Sequence, residues 1–281
     1  MAEIIDGKAL AAKIKSELLV RATDFEKLHG RKVGLAVIRV GANPASAVYV
    51  RNKIKACEQC NIRSFSYELD ENVSGERVIE LIHKLNADGV VDGILVQLPL
   101  PKHIDERTVL AEIVPQKDAD GFHAINAGKL FLGENDGTVA CTPRGIIELI
   151  KSTGVPIKGK HAVVVGRSNI VGKPVAALLL ANDATVTVCH SRTANLKEIT
   201  LTADILVVAI GKSKFITADM VKSGAVVIDV GMNRDENGLC GDVDFDGVKN
   251  VAGYITPVPG GVGPMTVAML LCNTVDGAVN E

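Results

Sequence analysis

Residues 161–190 read HAVVVGRSNIVGKPVAALLLANDATVTVCH, and this stretch decides the fold. HAVVVG (161–166) is a short apolar run typical of a buried strand, VGKPVAALLLAND (171–183) has a helical pattern, and ATVTVCH (184–190) is a second strand-like run. A strand, a helix and a strand within about 30 residues form a βαβ unit. The stretch therefore predicts two parallel strands joined by a crossover helix.

The same alternation continues on both sides of this unit. DILVVAIG (204–211) and AVVIDVG (225–231) add strands towards the C-terminus. KVGLAVIRVG (32–41) reads as another strand, and GILVQLP (93–99) is apolar on both faces, as a parallel strand covered by helices is. Alternating strands and helices are typical of parallel sheets, so we predict an α/β fold throughout.

Local signals predict the other boundaries. Pro44 is expected to open a helix that runs to about Cys60, because proline is tolerated in a first helical turn. Ser74 is a typical N-cap for the next helix. Residues 113–142 are rich in Asp, Gly, Pro and Asn, which predicts an irregular loop. We therefore expect a domain boundary near residue 140.

The composition is that of a folded protein without a strong charged field. The chain has 281 residues, of which 47% are hydrophobic and 23% are charged, and its formal net charge is −2. This length suits two α/β domains, and this charge does not favour nucleic acid or an anionic membrane surface. The N-terminal sequence does not resemble a signal peptide, and no stretch reads as the ~20 apolar residues of a membrane helix. A reducing, cytoplasmic setting is expected.

The turn inside the βαβ unit reads GRSNIVGKP (166–174). The helix that follows is expected to offer free N–H groups and the positive end of its dipole to a phosphate. The dinucleotide fingerprint G-x-G-x-x-G is not matched, because Ser168 replaces its middle glycine, and the turn also misses a P-loop. Nucleotide binding and a plain tight turn remain alternatives at this point.

The end of the next strand favours NADP over NAD. NAD enzymes place an acid about 20 residues after the glycines, on the ribose 2′-hydroxyl. Here the chain reads HSRT (190–193), without an acid. Ser191 and Arg192, together with Arg167, would suit a 2′-phosphate. The alternative is that Arg192 only caps a solvated strand end.

A second candidate site lies on the helix after Pro44. Ser46, Tyr49 and Lys53 fall on one helical stripe beside apolar residues. A lysine partly removed from water there is a candidate general base; the alternative is a lysine whose ammonium group reaches solvent. Gln97 ends an apolar strand, where α/β sheets bind ligands. It would either hold Lys53 by a hydrogen bond or face water.

Two loops add candidate ligand contacts. KDADGF (117–122) carries two acids, and one Asp-x-Asp pair is a weak indication of a metal, so no metal is expected. One acid is better suited to bind the N–H groups of a heterocycle. TPVPGGVGPMT (256–266) combines stiff prolines with glycines that permit close backbone approach, and one of its X-Pro bonds could be cis. Cys57 and Cys60 have redox spacing, but no second pair completes a zinc site.

Taken together, these strings resemble the bifunctional methylenetetrahydrofolate dehydrogenase/methenyltetrahydrofolate cyclohydrolase family. The strings that carry the resemblance are SAVYVRNK (46–53), VQLPLP (96–101), KDADGF (117–122), CTPRG (141–145), GRSNIVGKP (166–174), HSRT (190–193), DVGMN (229–233), GDVDF (241–245) and TPVPGGVGPMT (256–266). They span nearly the whole chain in the family's order. No appended formyl-folate synthetase domain is expected.

The resemblance implies two α/β domains around a cleft, in a homodimer. Residues 1–139 with 268–281 would form the folate-binding catalytic domain, and residues 140–267 a Rossmann-like parallel-sheet NADP domain. The implied reaction oxidises 5,10-methylenetetrahydrofolate with NADP and hydrolyses the product to 10-formyltetrahydrofolate at one active site. This reaction belongs to the one-carbon metabolism that supplies purine and amino-acid biosynthesis.

The resemblance also implies residue roles. Lys53 would be the catalytic lysine, Gln97 its partner, Tyr49 a stacking group on the folate ring and Asp120 the acid that holds the pterin. The implied substrate-binding residues are Ser46, Tyr49, Asp120, Pro259, Gly260 and Gly261, and the implied cofactor-binding residues are Gly166, Arg167, Ser168, Ser191, Arg192 and Met232. Two other classes remain: a dehydrogenase of another small substrate, such as an amino or hydroxy acid, and a non-catalytic NADP-sensing module.

Overall fold

Strands and helices alternate along the chain, which confirms the α/β prediction. The structure, a computed structural model, describes residues 1–236 and 238–280, without the side chains of residues 44–48 and 280. The strands are β1 Glu3–Ile4, β2 Gly34–Val40, β3 Arg63–Leu69, β4 Gly93–Val96, β5 His161–Val165, β6 Thr185–Cys189, β7 Ile205–Val208, β8 Val226–Asp229, β9 Asn233–Asp235, β10 Gly238–Cys240 and β11 Tyr254–Ile255. The helices are α1 Gly7–His29, α2 Pro44–Gln59, α3 Gly75–Ala87, α4 Glu106–Ala111, α5 Ala124–Leu132, α6 Cys141–Ser152, α7 Gly172–Ala181, α8 Leu196–Thr200, α9 Phe245–Val248 and α10 Val262–Asn280.

The chain divides into two compact units. Met1–Ala12 and Thr142–Thr266 form the six-stranded unit, and Lys13–Cys141 with the chain from Val267 onward forms the three-stranded unit. The sequence placed residues 1–12 in the other unit. They belong to the six-stranded unit because β1 pairs in parallel with β11, and a two-residue strand has no periodicity by which to predict it.

The six-stranded sheet has the order β1-β11-β8-β7-β5-β6, and all its pairings are parallel. The predicted βαβ unit is present as β5, α7 and β6. Because β5 lies between β6 and β7, the chain leaves it first towards one side of the sheet and later continues on the other. In open α/β sheets, ligands bind beyond the carboxyl ends of the strands at such a switch point.

The three-stranded sheet has the order β3-β2-β4 and is also parallel. Ala36, Ile38 and Val40 of β2 pack in one core cluster with the buried apolar face of α3. Strand β3 is an edge strand whose residues are exposed or half-buried. Strand β4 ends at Val96, earlier than predicted, but the backbone N–H of Gln97 still donates to the Ile38 carbonyl at 2.8 Å.

The predicted loop over residues 113–142 is wrong in one part, since it contains α5. His123 caps this helix by accepting from the Ile125 N–H at 3.1 Å, and Gly133 ends it at φ 76°. The polar signal came partly from Asn126, whose side chain is buried and donates to Asp118 rather than forming a turn. A helix of only nine residues is too short for its period to stand out, so a periodicity analysis misses it.

The closing helix α10 has the length and composition of a membrane span, contrary to the sequence expectation. Its stretch Val262–Val279 has a mean hydropathy of 1.3, but 61% of that stretch is buried within the protein. Such burial is typical of a core helix. The six cysteines, all among the described residues, form no disulfides. Burial raises the pKa of the Cys57 thiol to about 12, which leaves it unreactive at neutral pH.

Candidate functional site

Lys53 and Gln97 meet in the three-stranded unit, as predicted. Lys53 lies half-buried on α2, and its Nζ donates to Gln97 Oε1 at 3.1 Å. Gln97 Nε2 donates to the Leu98 carbonyl at 2.8 Å, which fixes the amide with its oxygen towards the lysine. The lysine is therefore positioned by a neutral acceptor, and no carboxylate lies at hydrogen-bonding distance from it among the described side chains.

Asp120 is a carboxylate without a donor. Its carboxyl group is surrounded by protein although the residue keeps part of its surface exposed. Burial raises the pKa of Asp120 to about 6, the charge of Lys53 lowers it, and the charge of Asp118 raises it. Within residues 1–236 and 238–280, no group donates a hydrogen bond to this carboxylate. Its acceptor positions are thus available to the N–H groups of a ligand.

Asp118, two residues earlier, is fully engaged. Its Oδ1 accepts from the Gly121 N–H at 3.1 Å, and its Oδ2 accepts from the His123 N–H at 2.8 Å and from Asn126 Nδ2 at 3.0 Å. The two acids of the KDADGF string therefore differ: Asp118 is held by donors of the loop, whereas Asp120 accepts no hydrogen bond from the described residues. Residue patterns alone did not distinguish them, since both are aspartates in a loop, and only the family resemblance assigned the pterin contact to Asp120.

Lys117 anchors the start of the same loop, and sequence reasoning missed it. The residue is only 7% exposed, and its Nζ donates to the carbonyls of Leu85, Asn86 and Asp88 at 3.4, 2.9 and 2.9 Å. These carbonyls end α3, where a positive charge complements the helix dipole. Lys117 is therefore a positioning group for the segment that carries Asp120, and a sequence pattern does not separate it from a surface lysine.

The α2 stripe also contains Tyr49 and Ser46, and the structure describes the side chain of Tyr49 only. Tyr49 lies one helical turn before Lys53 and is 43% exposed, so its ring is accessible to a planar ligand. The side chain of Ser46 lies outside the described residues. Tyr49 and Lys53 therefore lie one turn apart on α2, and Gln97, directly after β4, contacts Lys53.

Gly166 is required by the geometry of the six-stranded unit. It follows β5 with φ 131°, and a Cβ there would lie 2.2 Å from the Ala209 carbonyl oxygen. Its N–H donates to the Cys189 carbonyl at 2.9 Å. The turn therefore lies between the ends of β6 and β7, at the switch point of the sheet.

Ser168, in the turn before α7, engages the donors at the start of this helix, which corrects one sequence expectation. Its Oγ accepts from the N–H groups of Val171 and Gly172 at 3.2 and 3.3 Å, and its carbonyl accepts from the Lys173 N–H at 3.0 Å. Pro174 has no N–H. The first turn of α7 therefore does not offer the free donors that the sequence predicted for a phosphate.

Two arginines remain as donors at the same sheet edge. Arg167 follows the end of β5, Ser191 and Arg192 follow the end of β6, and these two strands pair directly. All three residues are exposed. No acidic side chain pairs with either arginine in the part of the chain that the structure describes. Two unpaired guanidinium groups and a hydroxyl suit a phosphate dianion.

The proline- and glycine-rich segment also belongs to the six-stranded unit. Val258–Pro259 is one of two cis peptide bonds in the described chain, the other being Leu98–Pro99. Gly260 has φ 112°, and the Gly261 N–H donates to the Pro257 carbonyl at 2.9 Å. Met232 is 54% exposed, and a Cβ added at Gly263 would lie 3.8 Å from its Cε. Among the described residues, no group of three His, Cys, Asp or Glu side chains could hold a metal ion.

Comparison with protein families matches both parts of the chain. Residues 5–120 match the model described as tetrahydrofolate dehydrogenase/cyclohydrolase, catalytic domain. Residues 140–281 match the model described as tetrahydrofolate dehydrogenase/cyclohydrolase, NAD(P)-binding domain. A curated relative, the bifunctional protein FolD of Acetivibrio thermocellus, is 59% identical over 278 residues, which cover 99% of this chain and 97% of the relative.

Solved structures agree with this match. The FolD methylenetetrahydrofolate dehydrogenase/cyclohydrolase of Campylobacter jejuni is 51% identical, with a TM-score of 0.97 over 100% of this chain and 99% of that one. The FolD enzyme of Trypanosoma brucei, solved with NADP cofactor and an inhibitor, is 43% identical, with a TM-score of 0.94 over 99% and 98%.

Proposed function

Because the chain belongs to the tetrahydrofolate dehydrogenase/cyclohydrolase family, we propose that it oxidises 5,10-methylenetetrahydrofolate with NADP and hydrolyses the resulting methenyl compound to 10-formyltetrahydrofolate. The observation that carries this proposal is the hydrogen bond from Lys53 to Gln97, on the same unit as the unpaired carboxylate of Asp120. A dehydrogenase of unrelated substrates has no need for either feature.

Lys53 moves protons in this scheme. NADP, when bound, accepts the hydride of the first step, which leaves a cationic amidinium bridge on the folate. The hydrogen bond to the neutral Gln97 keeps the ammonium group of Lys53 away from that cation, which limits the repulsion between the two positive charges. Water then attacks the bridge carbon, and Lys53 takes a proton from the water as a general base. Lys53 returns that proton to N5 as the bond between the bridge carbon and N5 breaks, and the remaining hydroxyl proton leaves to solvent, so that the formyl group stays on N10. One lysine therefore serves the hydrolysis without hindering the oxidation.

Asp120 and Tyr49 orient the folate. The free carboxylate oxygens of Asp120 accept hydrogen bonds from the pterin N–H groups, and Tyr49 stacks on the ring system. Ser46, Pro259, Gly260 and Gly261 complete the folate contacts. Most of the rate of hydride transfer then comes from holding the two reacting carbons in line.

The six-stranded unit supplies the cofactor contacts. Arg167, Ser191 and Arg192 bind the 2′-phosphate that distinguishes NADP from NAD, because they are exposed and unpaired at one sheet edge. Gly166 and Ser168 shape the turn beside the cofactor, and the exposed Met232 contacts its nucleoside. Since Ser168 engages the first turn of α7, the arginines carry more of the phosphate recognition than a helix N-terminus would.

The test is to mix the purified protein with 5,10-methylenetetrahydrofolate and NADP, and to follow NADPH and the methenyl compound separately. We expect NADPH to form while the methenyl compound stays low and 10-formyltetrahydrofolate accumulates. NADPH with a methenyl compound that decays at the uncatalysed rate would refute the cyclohydrolase. NADP turnover on an amino or hydroxy acid, without folate, would favour the other dehydrogenase class. Binding of NADP without any turnover would favour a sensing module.

The assembly and cellular setting are also proposals. We infer a homodimer in the cytoplasm, without nucleic acid or membrane as partners. Strand β3 supports the dimer, since it ends the three-stranded sheet with one backbone edge unpaired, and a second copy can pair with such an edge. Light scattering should give twice the mass of the chain, and a monomer at micromolar concentration would refute this part.

A further inference from the structure

Asp242 is a buried carboxylate in the GDVDF string, to which the proposed mechanism gives no part. It is 0% exposed. Its Oδ2 accepts from the N–H groups of Ile210 and Gly211 at 2.7 and 2.9 Å, and its Oδ1 accepts from the Lys212 N–H and from Asn233 Nδ2, both at 2.8 Å. Four donors on one fully buried acid show that the surrounding backbone is built around it.

Three of these donors are consecutive N–H groups of the segment that follows β7. Successive backbone N–H groups that converge in this way form a concave nest for an anion. Here the anion is the protein's own carboxylate. Asp242 therefore fixes the conformation of residues 210–212, where Gly211 adopts φ 65°.

This segment borders the Gly166 turn. Strand β7 pairs with β5, and the Ala209 N–H donates to the Val165 carbonyl at 2.8 Å. The absence of a Cβ on Gly166 is what allows the Ala209 carbonyl to lie so close to it. Residues 209–212 thus form one wall of the switch point, beside the turn assigned above to the cofactor.

Asp242 is itself held by a second acid. Asp229 Oδ1 accepts from the Asp242 N–H at 2.9 Å, and Asp229 Oδ2 accepts from the Val243 N–H at 3.0 Å. There is no space for adjustment, because a Cβ at Gly241 would lie 1.7 Å from Asp229 Oδ2. The end of β8 is therefore linked through two carboxylates to the segment after β7.

We propose that Asp242 is a positioning residue of the NADP site, which shapes residues 210–212 from behind without touching the cofactor. This rests on the proposed function, since it places NADP at the Gly166 turn. The carboxylate is needed rather than an amide, because an amide would turn an N–H towards donors or leave some of them without an acceptor.

The test is Asp242→Asn, with two activities compared in one protein. Calorimetry should show an NADP Kd raised about tenfold, the effect expected from weakened charge-assisted hydrogen bonds. Hydrolysis of added methenyltetrahydrofolate needs no NADP, and its kcat/KM should stay within about twofold. Amide hydrogen exchange over residues 205–215 should become faster. Asp246→Asn is the matched control, because Asp246 is an exposed carboxylate paired with Lys249, and it should match the wild type in all three measurements.

An unchanged NADP Kd in folded Asp242→Asn would overturn the proposal, and so would an equal loss of both activities. If this variant fails to fold, Asn233→Ala replaces it, since it removes one donor to Asp242. A weaker NADP Kd together with faster exchange over 205–215 supports the proposal, and a weaker Kd without faster exchange overturns it. The wild-type protein distinguishes failure of the proposed function from failure of the role proposed for Asp242. If the wild type binds no NADP, the proposed function fails.

Discussion

Two pairs of aspartates in this molecule differ in how their carboxylates are used. In the KDADGF loop of the three-stranded unit, Asp118 accepts three hydrogen bonds while Asp120 accepts none from the described residues. In the six-stranded unit, both Asp229 and Asp242 are saturated by backbone donors. A saturated acid shapes the chain, and an unsaturated one near a lysine is left for a ligand.

The largest expected effect concerns the lysine beside the unsaturated acid. Lys53→Met should reduce cyclohydrolase kcat by about 10³-fold, because general base catalysis is lost. Tetrahydrofolate affinity, measured by calorimetry, should change by no more than about threefold, since Asp120 and Tyr49 carry the binding. Lys55→Met is the matched control, as Lys55 is exposed on the same helix. Equal cyclohydrolase activity in Lys53→Met and wild type would remove this role.

The difference between Asp118 and Asp120 should appear in the free energy of unfolding. Asp118→Ala should lower the free energy of unfolding by about 2 kcal/mol, because it leaves the His123 N–H without an acceptor and removes one of two acceptors from Gly121 and from Asn126. Asp120→Ala should leave it unchanged or raise it, because an unpaired carboxylate opposes burial. Urea titration at pH 7 measures both. Equal destabilisation by the two changes would mean that the two acids do not differ.

The pH dependence sharpens the same contrast. The folded-state pKa of Asp120 is about 6, above the ordinary value of 3.8, so the folded protein holds this proton more tightly than the unfolded chain. Stability should therefore fall as pH rises between these values, and Asp120→Asn should remove that part of the dependence. If the ionised acid binds the pterin, tetrahydrofolate affinity should fall about tenfold per pH unit below 6. A flat calorimetric profile from pH 5 to 8 would contradict this.

The smallest effect is expected at the cofactor. Arg192→Gln should raise the KM for NADP about tenfold, since one charge-assisted contact to the 2′-phosphate is lost. The KM for NAD, which lacks that phosphate, should stay the same. Arg107→Gln, an exposed arginine of the other unit, controls for the change in net charge. A parallel rise of both KM values would show that Arg192 supports the turn rather than reads the phosphate.

How much the sequence predicts depends on the length of the signal. The βαβ unit at 161–190 was predictable because a strand-like run, a helical run and a second strand-like run follow one another within about 30 residues, and a glycine marks the first turn. Strands β1 and β11 have two residues each, and the β9–β10 hairpin has three on each side, so no period exists to detect. Helix α5 was missed because its stability comes from Asn126 and Asp118, which meet only in the folded chain.

The candidate site divides in the same way. The Lys53–Gln97 hydrogen bond could be predicted from a helix stripe and a strand end, each a local pattern. The structural roles of Asp118, Lys117 and Asp242 could not be predicted, because a sequence does not show whether a charged side chain is buried and hydrogen-bonded or exposed. The hydrogen bonds that Ser168 accepts in the turn before α7 could not be predicted either, since its partners are backbone groups.

The hydrogen bonds of Ser168 within the turn before α7 have a thermodynamic consequence. A glycine-rich phosphate loop that folds around its ligand loses conformational entropy on binding. This turn is already ordered before binding by the hydrogen bonds to Ser168 Oγ. Cofactor binding therefore carries little entropy cost for ordering the turn, so less of the binding free energy is lost to this ordering. Encounter between protein and dinucleotide, and not rearrangement of this turn, should then set the rate of association.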